Sequence, residues 1–415
     1  MAQADADGPD LWRRILKWWW WIPVIAAITC LSYLSPSAFW IDADQYTAAL
    51  EEDRKVIHPP GYVGFIAAAK SVHQFVESPY RSFQIVSLLS YLASIPLVHF
   101  AIRRQTAPRT ASILTLTYAL GWIPLNIATI GTSHASDLLF AAVLVFLTSR
   151  GKDAASSWWW HLALFTTVAW AASFRLSSVV MAGPFLLLVA LRDFRIRSFW
   201  MSGLVGAALL GLVLAWTAKA YGGWSNYREA SAALHALNAP SGLLTGGSLK
   251  SAGMNLVRGG WWLWLALPVL PVLAVMPSQR QGMTHRSWET LFPAALAGGV
   301  IFVIFGYLCA HPGYLAMALP PLFVLIAQFL GKAPLLIRAC LVQLAITLMV
   351  FFIPRPIQPP ASAAEAAANG LLLQYTASAH RSAVKTRSLS SWLHEAGRDD
   401  LIPGHRREKA ASEAD

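Results

Sequence analysis

The sequence predicts an all-α fold, a polytopic bundle of about eleven transmembrane helices with short interfacial helices in its first outer loop. Three observations predict it. Of 415 residues, 56% are hydrophobic and only 13% charged, with a mean hydropathy of +0.49; a soluble domain carries about a quarter charged residues. The apolar residues gather into long uncharged stretches, and a bilayer core requires about 20 such residues in a helix. The 19 tryptophans cluster at the ends of those stretches: Trp18 to Trp21, Trp158 to Trp160, and Trp261, Trp262 and Trp264. There an indole keeps its ring in the interface and its N–H in water, so belt anchors are expected.

In chain order the stretches fall at 16–36, 82–102, 109–130, 135–149, 157–173, 176–191, 198–219, 261–277, 289–309, 313–330 and 333–353. The first is too long for the apolar core of a signal peptide and many more follow, so it reads as an uncleaved first helix. Arg13, Arg14 and Lys17 precede it, which puts the N-terminus in the cytoplasm. Alternating from there, the cytoplasmic gaps hold Arg103, Arg104 and Arg109; Arg150 and Lys152; Arg192, Arg195 and Arg197; Arg280 and Arg286; and Lys332 and Arg338. The outer face carries two long loops, 37–81 and 220–260. Residues 1–353 thus read as one membrane module. Residues 354–415 open on Pro354, Pro356, Pro359 and Pro360 and read as a linker, a modest helix over Ser378–Ala396 and a charged end. In this count the tail ends outside despite Arg381, Lys385 and Arg387, and one span more or fewer would reverse it.

Several classes are excluded. The net charge of +11 is spread over short gaps and not gathered on one domain, so no nucleic-acid partner is expected. Cys30, Cys309 and Cys340 lie in apolar runs with neither metal-ligand spacing nor a disulfide framework. No internal repeat suggests the paired halves of many transporters. GxSxG, P-loop and HExxH patterns are absent from the sequence.

The first outer loop carries the chemistry. Asp42 and Gln45 have the spacing of a helix N-cap and its third position. From Ala43, Tyr46, Ala49 and Leu50 share one face, away from Glu51, Glu52 and Arg54, which predicts a short helix lying on the membrane. His58-Pro59-Pro60-Gly61 stops it, because a residue before proline leaves helical geometry and a proline suits the first turn of a new helix. From Tyr62 onward Phe65, Ile66, Ala69 and Val72 recur at helical spacing. Two interfacial helices joined by a rigid corner are the result.

This loop resembles the GT-C superfamily of polyprenyl-phosphate-sugar-dependent glycosyltransferases, nearest to the bacterial protein O-mannosyltransferase and aminoarabinose-transferase type. Asp42-Ala43-Asp44-Gln45-Tyr46 after the first helix is similar to the family's acidic motif, and His58-Pro59-Pro60-Gly61-Tyr62 to its HPPG-type corner. His311-Pro312-Gly313-Tyr314-Leu315, leading to Pro320-Pro321, is similar to its GY-L-P pattern, and Asp137 stands where such enzymes often carry an acid. Topology matches over 10–353, the motifs only in these short segments. Many members carry adjacent acids in the first motif; here Ala43 separates Asp42 from Asp44, which leaves the catalytic one open.

The resemblance implies a multi-pass enzyme of the inner (plasma) membrane. It would transfer a sugar from a polyprenyl-phosphate donor, within the membrane lipid, to an extracytoplasmic acceptor by inverting displacement. Asp42 would be the general base, with Asp44 as its substitute, since a carboxylate can take the acceptor's proton as the bond forms. Tyr46, His58, Tyr62, His134, Asp137, Arg175, Arg258, His311 and Tyr314 are the candidate substrate-binding residues. No cofactor is implied; the acids could hold a divalent ion, but no spacing demands one.

Plainer roles compete at each position. Asp42 and Asp137 could cap helices, Asp44 could favour a helix dipole, and His58 could bond the preceding carbonyls. His134 could be an ordinary loop histidine. Arg175 either snorkels to the interface or meets a lipid phosphate, a role for which Lys250 and Arg258 compete. His311 and Tyr314 either close the site or anchor a helix end. Among whole-protein readings, a transporter or lipid-linked-sugar flippase is the alternative; its ionisable groups belong near the midplane, whereas the acids here gather in one outer loop. A member that binds lipid-linked sugar without catalysis is the third.

Overall fold

The computed structural model describes residues 19–35, 46–47, 49–50, 59, 61–149, 157–238, 242–268, 288–307, 311–330 and 335–352. Helices and turns are the only regular elements among the described residues. The first half comprises α1 (Trp21–Ser32), α2 (Val63–His73), α3 (Pro79–Arg103), α4 (Pro108–Ala119), α5 (Trp122–Thr129), α6 (His134–Thr148) and α7 (Trp158–Phe174). The second comprises α8 (Ser177–Asp193), α9 (Arg197–Ala220), α10 (Trp224–Asn238), α11 (Leu249–Ala266), α12 (Trp288–Gly306), α13 (Leu319–Leu330) and α14 (Leu335–Thr347). A 3-10 turn at Pro312–Ala318 leads into α13. The all-α expectation holds.

Every predicted apolar stretch meets a helix, in whole or in part. By length and apolarity alone α3, α9, α12 and the run Pro312–Phe329 qualify as spans, and the bent pair α4–α5 makes a fifth. Eleven spans therefore stays an expectation of the sequence. The predicted stretch 109–130 is broken: α4 and α5 meet at 46°. Gly121 between them is extended, and Pro124 sits in the first turn of α5, where a missing N–H costs no helical bond.

A row of polar side chains on α3 satisfies the backbone exposed after α1 and between α5 and α6. Gln84 Nε2 donates to the carbonyls of Ser35 (3.0 Å) and Thr129 (2.7 Å), and the Tyr80 hydroxyl donates to that of Ile130 (3.1 Å). Ser87 donates to the Thr132 carbonyl at 3.0 Å. In hydrocarbon an unsatisfied carbonyl costs several kcal/mol, so these bonds make a broken helix tolerable within a bundle.

The core is packed by α3 against α6, α7 against α9, and α8 against α12. α9 is the outlier: only 17% of its apolar window is buried, and Trp200, Leu204, Leu212 and Trp216 face outward, as on a helix that meets lipid. The tryptophan clusters divide. Trp20, Trp21, Trp158, Trp159, Trp261 and Trp264 are exposed, as belt anchors are, whereas Trp160 and Trp262 are buried. Trp160 turns inward because its indole N–H finds the Leu147 carbonyl at 2.9 Å.

The helix α2 begins at Val63, later than the expected first turn at Pro60, because Gly61 and Tyr62 are both left-handed, and Tyr46 and Ala49 share a buried face. The second outer loop holds a helix that the apolar runs did not reveal. On α10, Tyr227, Ala230 and Leu234 are half-buried while Arg228, Glu229 and His235 are exposed. α11 starts at Leu249, well before the predicted 261, because Ser248 caps it by accepting from Ser251 N at 3.1 Å. The tail, 354–415, lies outside the described residues, as does the helix expected over 378–396.

Candidate functional site

At the end of the bundle that the sequence orientation places outward, three local devices converge. The first is the break between α7 and α8. Arg175 is extended there (φ −161°, ψ 109°), so its side chain leaves the helical path and enters the bundle, only 4% exposed. The second is the start of α6, which carries His134 and Asp137 one turn apart on one face. The third is the Pro312–Ala318 turn, whose first backbone N–H groups are served by the preceding residue. Gly313 N donates to His311 Nδ1 at 2.9 Å.

Their side chains interlock. Arg175 Nη1 donates to Asp137 Oδ2 at 2.8 Å and stands 2.7 Å from His134 Nδ1. A guanidinium only donates, so Nδ1 of His134 accepts and its proton sits on Nε2. The two hydrogens of Nη1 are thereby both used. Ser178 Oγ donates to Asp137 Oδ1 at 2.5 Å, so each carboxylate oxygen has a donor, and the carboxylate is 1% exposed. The guanidinium carbon lies 4.5 Å from the centre of the Tyr314 ring, which covers one face of the cation. No acceptor among the described residues engages Nε or Nη2 of Arg175. The fork that a guanidinium offers to a phosphate or carboxylate is therefore intact.

The histidines are packed tightly. His134 stacks on His311 with ring centres 5.4 Å apart and lies 5.0 Å from Tyr314. Gly313 is required by this approach: a Cβ there would come within 2.5 Å of His134 Cγ. Burial, with His134 and Arg175 beside it, holds the His311 pKa well below its ordinary 6.5, so the ring is neutral at physiological pH. The bond it accepts from Gly313 fits the neutral form.

Gly61 and Tyr62 dock onto the same end. Gly61 has φ +105°, and a Cβ on it would meet Thr217 Cγ2 of α9 at 2.7 Å, so glycine is needed on both counts. Tyr62 is left-handed too (φ 47°), which costs a non-glycine residue of order 1–3 kcal/mol. Tyr46 is fully buried, edge-on to Tyr62 (5.5 Å) and Phe65 (5.2 Å), and its hydroxyl donates to Ser133 Oγ at 3.3 Å.

Among the predicted residues, the structure thus brings together Tyr46, Tyr62, His134, Asp137, Arg175, His311 and Tyr314. Asp42, Asp44 and His58 lie outside the described residues. Arg258 stands half-buried on α11, a helix that packs on the Pro312–Ala318 turn. Arg175 does not snorkel, because Asp137 and His134 draw it inward. Asp137 is not its helix's cap; it lies inside the first turn. Ser178 was missed altogether, since a serine at the head of an apolar run carries no signal until its partner is known. Among the described residues no three His, Cys, Asp or Glu side chains stand together as a metal site.

No family profile matches the chain, and no curated protein matches it. Solved structures do. The fold is similar to that of ArnT, an aminoarabinose transferase from Cupriavidus metallidurans, bound to undecaprenyl phosphate. The TM-score is 0.57 at 16% identity, over 80% of this chain and 63% of that one. The apo state of the same protein aligns with a TM-score of 0.51 and 16% identity, over 76% and 60%. The apo oligosaccharyltransferase of Archaeoglobus fulgidus aligns over 95% of this chain and 59% of that one, with a TM-score of 0.48 and 12% identity. This chain spans less than two thirds of the length of these proteins. At such identities the likeness to ArnT shows the fold alone.

Proposed function

We propose that this protein is an integral membrane glycosyltransferase. In this reading it moves a sugar from a polyprenyl-phosphate donor to an acceptor hydroxyl at the extracytoplasmic face of the inner membrane. The observation that carries it is Arg175: a buried cation with its phosphate-binding fork open, set beside the corner of the acidic loop. The GT-C fold supports it, because the ArnT structure of that fold holds undecaprenyl phosphate.

The chemistry follows from what each group can do. The acceptor oxygen bonds to the anomeric carbon while its proton passes to a loop aspartate, Asp42 first and Asp44 as substitute. The bond from that carbon to the phosphate oxygen breaks with inversion, and the departing lipid phosphate takes up negative charge. Arg175 meets that charge through Nε and Nη2, preorganised and screened from water, where such a contact counts most. The Tyr314 ring covers one face of the cation, and Asp137 and His134 hold Nη1, so it needs no rearrangement before it binds.

The test is transfer from a radiolabelled polyprenyl-phosphate-sugar pool in membranes that contain the protein, with Asp42→Asn, Asp44→Asn and Arg175→Gln as variants. Transfer by wild type, lost in Asp42→Asn at unchanged protein level, supports the base and the enzyme class together. Label that crosses the membrane while still on its lipid would instead identify a flippase.

A further inference from the structure

We infer that Ser178 is a positioning residue for the donor phosphate, acting through Asp137 to hold the Arg175 fork in register; this rests on the transferase reading above. The argument starts from the freedom of an arginine side chain. A guanidinium paired to a carboxylate ordinarily takes the bidentate form, with Nε and Nη2 bonded to two oxygens, because that pairing is the strongest available. Here it does not. Ser178 Oγ donates to Oδ1 of Asp137 at 2.5 Å and so anchors the rotation of the carboxylate, with Oδ2 turned to a single nitrogen of Arg175. His134 Nδ1 takes the second hydrogen of Nη1, and the Tyr314 ring closes one face of the guanidinium. The cation is thus fixed by one nitrogen and one face, and its recognition edge is kept open.

Ser178 is well placed for this by its backbone. It sits at the head of α8, and its N–H bonds to the carbonyl of Arg175 at 3.0 Å, so the serine and the arginine belong to one turn. A phosphate drawn in by the open fork would find its cation already oriented. Without the Ser178 hydroxyl, Oδ1 is released. The carboxylate can then rotate into the fork and compete with the phosphate for the same two N–H groups. Loss of the hydroxyl should therefore weaken donor binding and leave the chemical step alone.

The experiment has two readouts on the full-length protein in detergent or nanodiscs. One is donor KM and kcat for transfer; the other is direct binding of undecaprenyl phosphate without a sugar. Ser178→Ala is expected to raise KM and the undecaprenyl phosphate Kd about tenfold, with kcat within about twofold. Ser178→Thr, which keeps the hydroxyl, is expected to restore both. Ser178→Cys fills the same space with a weak donor and should behave like Ala; it carries the test if Ala lowers the yield of folded protein. A merely structural serine would lower folded protein or kcat and leave KM and Kd unmoved, and that result overturns the inference, as does a Cys variant equal to wild type. If wild type transfers no sugar yet Ser178→Ala and Ser178→Cys still weaken undecaprenyl phosphate binding, the clamp stands and the transferase reading falls.

Discussion

Arg175, Asp137, His134 and Ser178 at one end of the α7–α8 pair have near-counterparts in Arg192, Asp193, His161 and Ser198 at the other. At the second end Arg192 places its fork on a carboxylate, Nε to Asp193 Oδ1 at 2.7 Å and Nη2 to Oδ2 at 2.5 Å. Trp160 and Phe292 each lie 4.7 Å from its guanidinium carbon. His161 joins the pair, with Nε2 3.0 Å from Asp193 and Nδ1 3.0 Å from Ser198 Oγ. Nothing is left to offer a ligand along that edge, and the cluster ties the ends of α7, α8 and α9 together. At the Arg175 end the same four residue types are arranged so that the fork stays open. What separates a lock from a binding site here is which nitrogens the protein itself uses.

The largest effect should come from removing each carboxylate. Asp137→Asn leaves Arg175 buried without its counter-ion, at a cost of about 3–5 kcal/mol in stability. Asp193→Asn should cost less, because the Arg192 side chain is partly exposed and can turn to water. Thermal unfolding of both variants in one detergent compares them, and an equal loss would erase the distinction in burial. Next comes the fork. Arg175→Lys keeps the charge but not the planar edge and is expected to lower kcat/KM for the donor about a hundredfold. Arg192→Lys should lower stability only and leave kcat/KM within about twofold. Equal kinetic effects would show that the Arg192 cluster also serves the donor.

Acid should weaken the Arg175 end through His311. Its pKa is depressed in the folded protein, so the unfolded chain binds the proton more readily. Its share of stability is complete above pH 6.5 and falls as pH drops below that value, by at most about 1.4 kcal/mol per unit. Melting temperature against pH checks this, and His311→Asn should flatten the decline below pH 6.5. The smallest effect is expected for Ser198→Ala, about 1 kcal/mol of stability with donor KM unchanged.

Much of the bundle is legible in the sequence because apolar length is a local property. The helical spacing of Phe65, Ile66 and Ala69 in α2 is legible for the same reason, whereas the left-handed Gly61 and Tyr62 that delay its start to Val63 are not. Nor is the break at Leu120, since its apolar run continues across it and the Ala119 carbonyl beside it is satisfied by the Tyr91 hydroxyl of α3, far away in the chain. Similarly, α10 escapes a search for spanning runs because it is amphipathic and not continuously apolar. At the site, the likeness of His311 to Tyr314 to a family pattern found residues that the fold does bring together. It could not assign Arg175, because the partner that draws the side chain inward is 38 residues away. For Ser178 the separation is 41, and neither residue type nor spacing marks it.

The most direct test of the proposed activity is release of sugar from a radiolabelled polyprenyl-phosphate donor onto an extracytoplasmic acceptor, with undecaprenyl phosphate as competitor. Wild type should transfer label and be inhibited by the competitor. Arg175→Gln should lose both transfer and inhibition, while the folded Arg192→Lys keeps them. Transfer that survives in Arg175→Gln with unchanged sensitivity to undecaprenyl phosphate would contradict the assignment of the open guanidinium to the donor phosphate.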